Sequence, residues 1–301
     1  MNQTKETESF LDKYVKGVVV LGVLAGSTSG IFGALIEAPA LAMGFWRLLI
    51  ATPFFAIPVI RNQKAELFSI SKKDLTLTFL AGFFLFGHFF FWFNAVKITN
   101  VPSAVVIAAL HPLIVLAVSI FIWHRKITYK AIIAILVALI GCAVIAGLDY
   151  KMLTQGAFVG DIFAFFAGGF MGIYLLMGDM VRKRVAGRPY VFLVFLSCWM
   201  FFIIGTLLTS TPLLGYSKMD YIYLVAYAIV CQIGAHGVFN LCMGHVDALY
   251  VSTWESSEAV FAIILSVIFL KQIPTYWQII GCIMVVGALL YYNREIARDN
   301  V

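Results

Sequence analysis

The sequence predicts an all-α polytopic membrane protein of ten transmembrane helices, arranged as two inverted five-helix repeats. Three observations lead there. Of the 301 residues 62% are hydrophobic and only 12% are charged, far from the usage of a soluble domain. Ten apolar stretches are each long enough to cross about 30 Å of hydrocarbon. The basic residues divide unequally between the two sides those crossings define.

The chain opens on MNQTKETESFLDKYVK, polar and mixed in charge, so residues 1–14 read as a cytoplasmic tail. No basic start leads into a short apolar run with a cleavage site, so this is not a signal peptide. The first five spans follow at 15–36, 41–60, 75–96, 102–123 and 127–148. Residues 149–157 form a linker. The second five lie at 158–180, 190–210, 221–244, 249–270 and 274–293, and 294–301 is a second cytoplasmic tail. In the first span Gly26, Gly30 and Gly33 surround Ser27, Thr28 and Ser29, a pattern that permits close helix approach. The Gly168–Gly172 run in the sixth reads the same way. It is not a phosphate loop, since no strand precedes it and no Lys follows. The fourth span is broken by His111-Pro112, because proline removes a backbone bond and kinks a helix. Arg47, in the motif FWR at the outer end of the second span, reads as an ion-pair or interface anchor, with Glu37 nearby in sequence.

Sixteen of the 21 Lys and Arg fall on one side of these spans and four on the other, with Arg47 left within or beside the second. Positive residues accumulate on the cytoplasmic side, so both termini are expected there. An even number of crossings satisfies this pattern. Five crossings per half turn the second half over relative to the first, the arrangement of many secondary transporters. Weak likeness between the halves agrees: His111 falls opposite Glu258, His124 opposite Lys271 and Tyr129 opposite Tyr276.

The polar residues within the spans are the candidate site. Ionisable groups at membrane depth are expensive and normally face a bundle interior or a wet cavity. Gln232, His236 and Asn240 are spaced to share a helix face, and Glu255 and Glu258 to be neighbours on the next helix. With His111, His88, Trp92 and Trp254 they form the expected substrate-binding set, and Glu255 and Glu258 are the expected proton-coupling pair. For each carboxyl a structural reading stands beside the functional one, in which it bonds backbone or Ser252, Ser256 and Ser257 near a helix start. Gln232 and Asn240 read equally as glue between helices. Asp161 suits the positive N-terminus of the sixth span, and Asp179 reads as a surface charge beside Arg182 and Lys183. The five cysteines, Cys142, Cys198, Cys231, Cys242 and Cys282, all lie in apolar spans and read as packing residues, not disulfide partners or metal ligands.

FWRLLIA, FWFNAVKITNVPSAVVIAALHPLIVL, FNLCMGHVDALYVSTWESSEAVFAIILSVIFL and the closing QIIGCIMVVGALLY resemble the drug/metabolite transporter superfamily, of the ten-span kind with two EamA repeats. The resemblance covers about residues 15–293, which makes 15–148 the first EamA repeat and 158–293 the second. It implies alternating access and, for the ten-span group, export of a small organic metabolite such as an amino acid across the plasma membrane. Export of cationic drugs or other organic cations is the alternative, motivated by the two intramembrane Glu. Family repeats usually carry a Glu after the fourth and ninth spans, where this chain has His124 and Lys271, so that residue's role does not transfer.

Other classes fit less well. The basic residues sit at helix ends, not in a nucleic-acid footprint. An intramembrane enzyme would need a catalytic constellation, and His245 with Asp247 is not completed by other metal ligands or a nucleophile. No nucleotide-binding motif points to ATP, so the energy source expected is a gradient, with protons as the candidate partner, or else the protein is a facilitator. No cofactor or metal is expected. The partners expected are a small-molecule substrate and the bilayer, and a chain holding both repeats can work as a monomer.

Overall fold

The computed structural model describes residues 2–99, 101–146, 158–261, 264–265 and 276–299. Among them every regular element is helical. In chain order these are α1 (Asn2–Gly26), α2 (Ser29–Leu35), α3 (Ala40–Asn62), α4 (Lys64–Phe68), α5 (Lys72–Ile98), α6 (Val101–Ala108), α7 (His111–Phe121) and α8 (Tyr129–Ala146). The second half supplies α9 (Phe158–Arg182), α10 (Gly187–Thr209), α11 (Lys218–Tyr227), a π segment (Ala228–Gly237), α12 (Val238–Cys242), α13 (Ala248–Glu255) and α14 (Tyr276–Asp299). The segment read as a tail, 1–14, is helical from Asn2 and runs unbroken into the first span.

Six helical runs are long and apolar enough to cross a membrane: Phe10–Leu35, Ala40–Asn62, Lys72–Ile98, Phe158–Arg182, Gly187–Thr209 and Lys218–Cys242. His111–Phe121, Tyr129–Val144 and Ile279–Tyr292 are shorter apolar helices. The chain is therefore a polytopic membrane protein. Its outer surface agrees, because Leu21, Phe54, Phe165, Leu207 and Ile283 are all exposed at the flanks of these helices, where lipid is the solvent. The expected linker 149–157 and most of the expected ninth span beyond Phe261 lie outside the described residues.

Helix starts are set by short polar side chains. Ser71 Oγ accepts from the Asp74 amide at 3.1 Å, Ser217 and Asp220 form a reciprocal capping box, and Asp247 Oδ1 accepts from the Tyr250 amide at 2.8 Å. The halves do not fold as separate bundles. α5 lies along α9, α10 along both α3 and α5, and α1 against the π segment, so one apolar core draws on both. Small residues let backbones meet. A Cβ on Gly168 would stand 2.7 Å from the Ala108 carbonyl oxygen, so glycine brings α9 against the end of α6.

Three helices are interrupted beside one cavity. α1 gives way to α2 at residues 27–28, α6 to α7 at 109–110, and α13 to a further helical stretch at 256–257. Each break is bridged by tight backbone bonds three residues apart: Thr28 to Ala25, Leu110 to Ile107, and Ser257 to Trp254. Ser27 and Thr28 also turn their hydroxyls back onto the Leu24 and Ala25 carbonyls. The π segment is a fourth irregularity facing the same region. Irregular backbone at membrane depth is tolerated where it is buried or lines a cavity.

One end of the bundle carries the ion pairs. Arg125 Nη2 lies 2.5 Å from Asp179 Oδ2 and Arg125 Nη1 3.5 Å from Asp247 Oδ2. Arg184 bonds Asp74 at 2.5 Å, and His245 Nδ1 lies 2.7 Å from Asp12 Oδ1. Asp179 was expected at the surface and is instead only 1% exposed. It lies on the inner face of α9, where Arg125 reaches over from the segment after α7 to neutralise it.

Candidate functional site

Around the helix breaks lies a small cavity with room for about 60 Å³ of water-sized occupants. Its wall includes Gly26 and Ser29 from the first break, Val105, Ala108, Ala109 and His111 from the second, and Glu255 and Glu258 from the third. His88 and Trp92 enter from α5, Met171 from α9, and Cys231 and His236 from the π segment. Three histidines and two glutamates, from five helical segments, thus converge on one space.

His111 is held at both ring nitrogens. Nδ1 lies 3.0 Å from the Ala108 carbonyl oxygen and Nε2 lies 2.8 Å from Glu255 Oε2. A carbonyl can only accept, so Nδ1 carries hydrogen. Nε2 then either accepts from a protonated Glu255 or, as part of an imidazolium, donates to a carboxylate. Both descriptions leave one proton shared between the two residues. The pair is buried, with His111 at 6% and Glu255 at 4% exposure, and it ties α7 to α13. Glu255 Oε1 has no hydrogen-bond partner among the described residues.

His88 Nδ1 lies 2.9 Å from the Ala167 carbonyl, which by the same logic leaves Nε2 as the free position of the neutral ring. The His88 and His236 rings are 5.8 Å apart, and His236 stands edge-on to Phe89 at 4.8 Å. Trp92 Nε1 donates to Ser29 Oγ at 3.0 Å, and Ser29 Oγ lies 2.7 Å from Tyr227 Oη. Glu258 reaches into the space that a side chain at position 26 would fill. A Cβ on Gly26 would stand 2.3 Å from Glu258 Oε1. The glycine that read as a packing residue is thus also what admits the carboxyl.

Six of the nine expected binding residues line this cavity: Glu255, Glu258, His236, His111, His88 and Trp92. Gln232, Asn240 and Trp254 stand outside its wall. Gln232 is fully buried, with neither amide atom hydrogen-bonded among the described residues. Asn240 Nδ2 donates to the His236 carbonyl one turn back, at 2.8 Å. The expected shared face assumed an α-helical repeat, and the π segment's wider turn shifts that register between positions 232 and 240. Gly26, Ser29, Met171 and Cys231 were not among the expected binding residues. Small and apolar residues are common in any such helix, so sequence alone gives them no mark.

Arg47 departs furthest from expectation. It is not at a membrane edge paired with Glu37. It lies two turns into α3, is 0% exposed, and none of its three guanidinium nitrogens has a hydrogen-bond partner among the described residues. The guanidinium is boxed by aromatic rings instead, 4.2 Å from the Phe89 centroid, 4.3 Å from Tyr227 and 5.8 Å from Phe93. Each good cation–π contact contributes roughly 0.5–2 kcal/mol. That is well short of the cost of burying an isolated charge.

The sequence pattern of the EamA-like transporter family matches residues 16–147 and again 158–294. A protein of Bacillus subtilis (strain 168) named "Uncharacterized transporter YxxF" is 23% identical over 300 residues, covering 99% of this chain and 94% of its own length. A solved crystal structure superposes with a TM-score of 0.78 at 17% identity, over 94% of this chain and 98% of that one, which shows a shared fold.

Proposed function

Because the chain belongs to the EamA-like transporter family, we propose that it is a secondary transporter that moves a small organic metabolite, such as an amino acid, out of the cell by alternating access. The observation that carries this reading is the cavity at the helix breaks, where Glu255, Glu258, His111, His88 and His236 meet among apolar helices. In this reading the chain crosses the plasma membrane ten times as two inverted repeats, residues 15–148 and 158–293, with both termini cytoplasmic. The two repeats rock about the cavity, and its interrupted helices supply the exposed backbone groups that bind polar ligands at midplane. At about 60 Å³ the cavity holds a few waters, so substrate enters only after the repeats move apart.

Proton coupling fits the same geometry. The proton shared by His111 and Glu255 ties α7 to α13, so its release weakens a link between the two repeats. Glu258, close by, is the second acceptor. A second reading, export of organic cations, is favoured by the Glu258 carboxyl, which projects into the cavity over Gly26.

The test is transport by the purified protein in proteoliposomes with an imposed pH gradient, using amino acids and lipophilic cations as separate panels. Uptake of amino acids that collapses without the gradient supports proton-coupled metabolite transport. Uptake of cations alone moves the assignment to the second reading. Transport of neither panel overturns both.

A further inference from the structure

Arg47 is a buried cation whose bonding capacity is unused. Its five N–H groups sit in a fixed planar fork suited to a carboxylate, and none is satisfied by the described residues. Gln232, equally buried, likewise has no hydrogen-bond partner for its amide among the described residues. Arg47 and Gln232, both at 0% exposure, thus belong to adjoining helices of one core and both keep hydrogen-bonding capacity that the described residues do not fill.

The position relative to the cavity indicates how that group arrives. Phe89 carries Arg47 over its ring and packs perpendicular to His236 at 4.8 Å, and His236 lines the cavity. Tyr227 covers the guanidinium as well, and its hydroxyl is held by Ser29, another lining residue. Phe89 and Tyr227 therefore each link Arg47 to a residue that lines the space holding Glu258. Tyr227 immediately precedes the π segment, so a change of register there would move its ring. Arg47 lies against those rings outside the cavity wall, and the Glu258 carboxyl lines the cavity itself.

We propose that Arg47 is the anion-recognition residue of the transport site, receiving the carboxylate of a substrate once the Tyr227 and Phe89 rings move aside. The substrates are then carboxylates, with amino acids matching both Arg47 and Glu258, rather than simple organic cations. This rests on the transporter reading above and narrows it.

The experiment is ligand-dependent thermal stabilisation of the purified full-length protein, with matched pairs of amino acids and their amides or methyl esters. The expected result is that wild type is stabilised by the acids and not by the neutral partners. Arg47→Gln should lose the preference, with affinity for the acids reduced on the order of 100-fold, the worth of a strong charge-assisted contact. Arg47→Lys, which keeps the charge without the fork, should fall between. If Arg47→Gln fails to fold, the wild-type comparison and Arg47→Lys still decide. Equal stabilisation of wild type by acids and amides overturns the role of Arg47 and leaves the transporter reading standing. Absence of stabilisation by every member overturns both.

Discussion

His111 Nε2 lies 2.8 Å from Glu255 Oε2, across 144 residues of sequence, and the two are bonded inside an apolar bundle. His111 begins the helix after the 109–110 break, with Pro112 in its first turn, and Glu255 ends the helix before the 256–257 break. The bond thus joins two chain interruptions. Removing one partner of a buried pair leaves the other uncompensated, which costs about 3–5 kcal/mol. Glu255→Leu and His111→Phe should each lower the thermal midpoint in detergent strongly. The double variant should recover part of the loss, because apolar groups replace the pair together. A simple sum of the two single losses would show that the bond contributes no coupling.

Glu258 and Gly26 should also behave as a pair. A methyl group at position 26 would meet Glu258 Oε1 at 2.3 Å, so Gly26→Ala must displace the carboxyl or the helix. Overpacking of this kind costs about 1–3 kcal/mol. Gly26→Ala should destabilise the protein, and Glu258→Ala in the same chain should relieve most of that loss. Equal destabilisation with and without the Glu258 side chain would place the strain elsewhere.

Transport should separate Glu258 from the structural residues. Glu258→Gln keeps the shape and removes the charge, so the protein should fold while pH-driven uptake in proteoliposomes is abolished. Wild-type pH dependence in that variant would remove Glu258 from the coupling mechanism.

How much of this was legible in the sequence depended on contrast. Glu255, Glu258 and His111 stand out because an ionisable residue in an apolar span has few reasons to be there, and the structure brings all three to one cavity. The break at His111-Pro112 was legible because proline has a fixed local effect. Arg47 was misread because a cation near the start of a span is usually held at the interface, and only the tertiary packing of Phe89, Phe93 and Tyr227 shows that this one is enclosed. Gln232 and Asn240 were placed on the cavity face by α-helical counting, and a π segment has no reliable sequence mark. Asp179 looked solvated because its partner Arg125 lies 54 residues away in sequence.

The ion pairs at the charged end should differ sharply in worth. Asp179 is 1% exposed, and its Oδ2 takes both Arg125 and Lys183. Arg184, with its side chain 49% exposed, bonds an Asp74 that is itself only 7% exposed. Arg125→Ala should leave the Asp179 carboxylate poorly compensated and cost about 3 kcal/mol or more. Arg184→Ala should cost less than Arg125→Ala, because solvent around the half-exposed guanidinium already screens its attraction to Asp74. Raising the salt concentration should weaken what effect Arg184→Ala has, and leave the Arg125→Ala loss nearly unchanged. Equal losses for the two variants would mean that the burial of Asp179 does not decide the strength of its pair.

Cavity access can be read with thiols. Cys231 lines the cavity, while Asn240 is fully buried outside it. With the other native cysteines replaced, Cys231 should react with a small polar thiol reagent, and so should His236→Cys in a Cys231→Ala background. Asn240→Cys in that background should not react, because its side chain lies behind the cavity wall, against the backbone of the turn that carries His236. A transported ligand should protect position 231 and position 236 together, since both face the same space. Reaction at 240 with kinetics matching 236 would mean that the helix turns or unwinds during the transport cycle, so that the α-helical register reappears in another state.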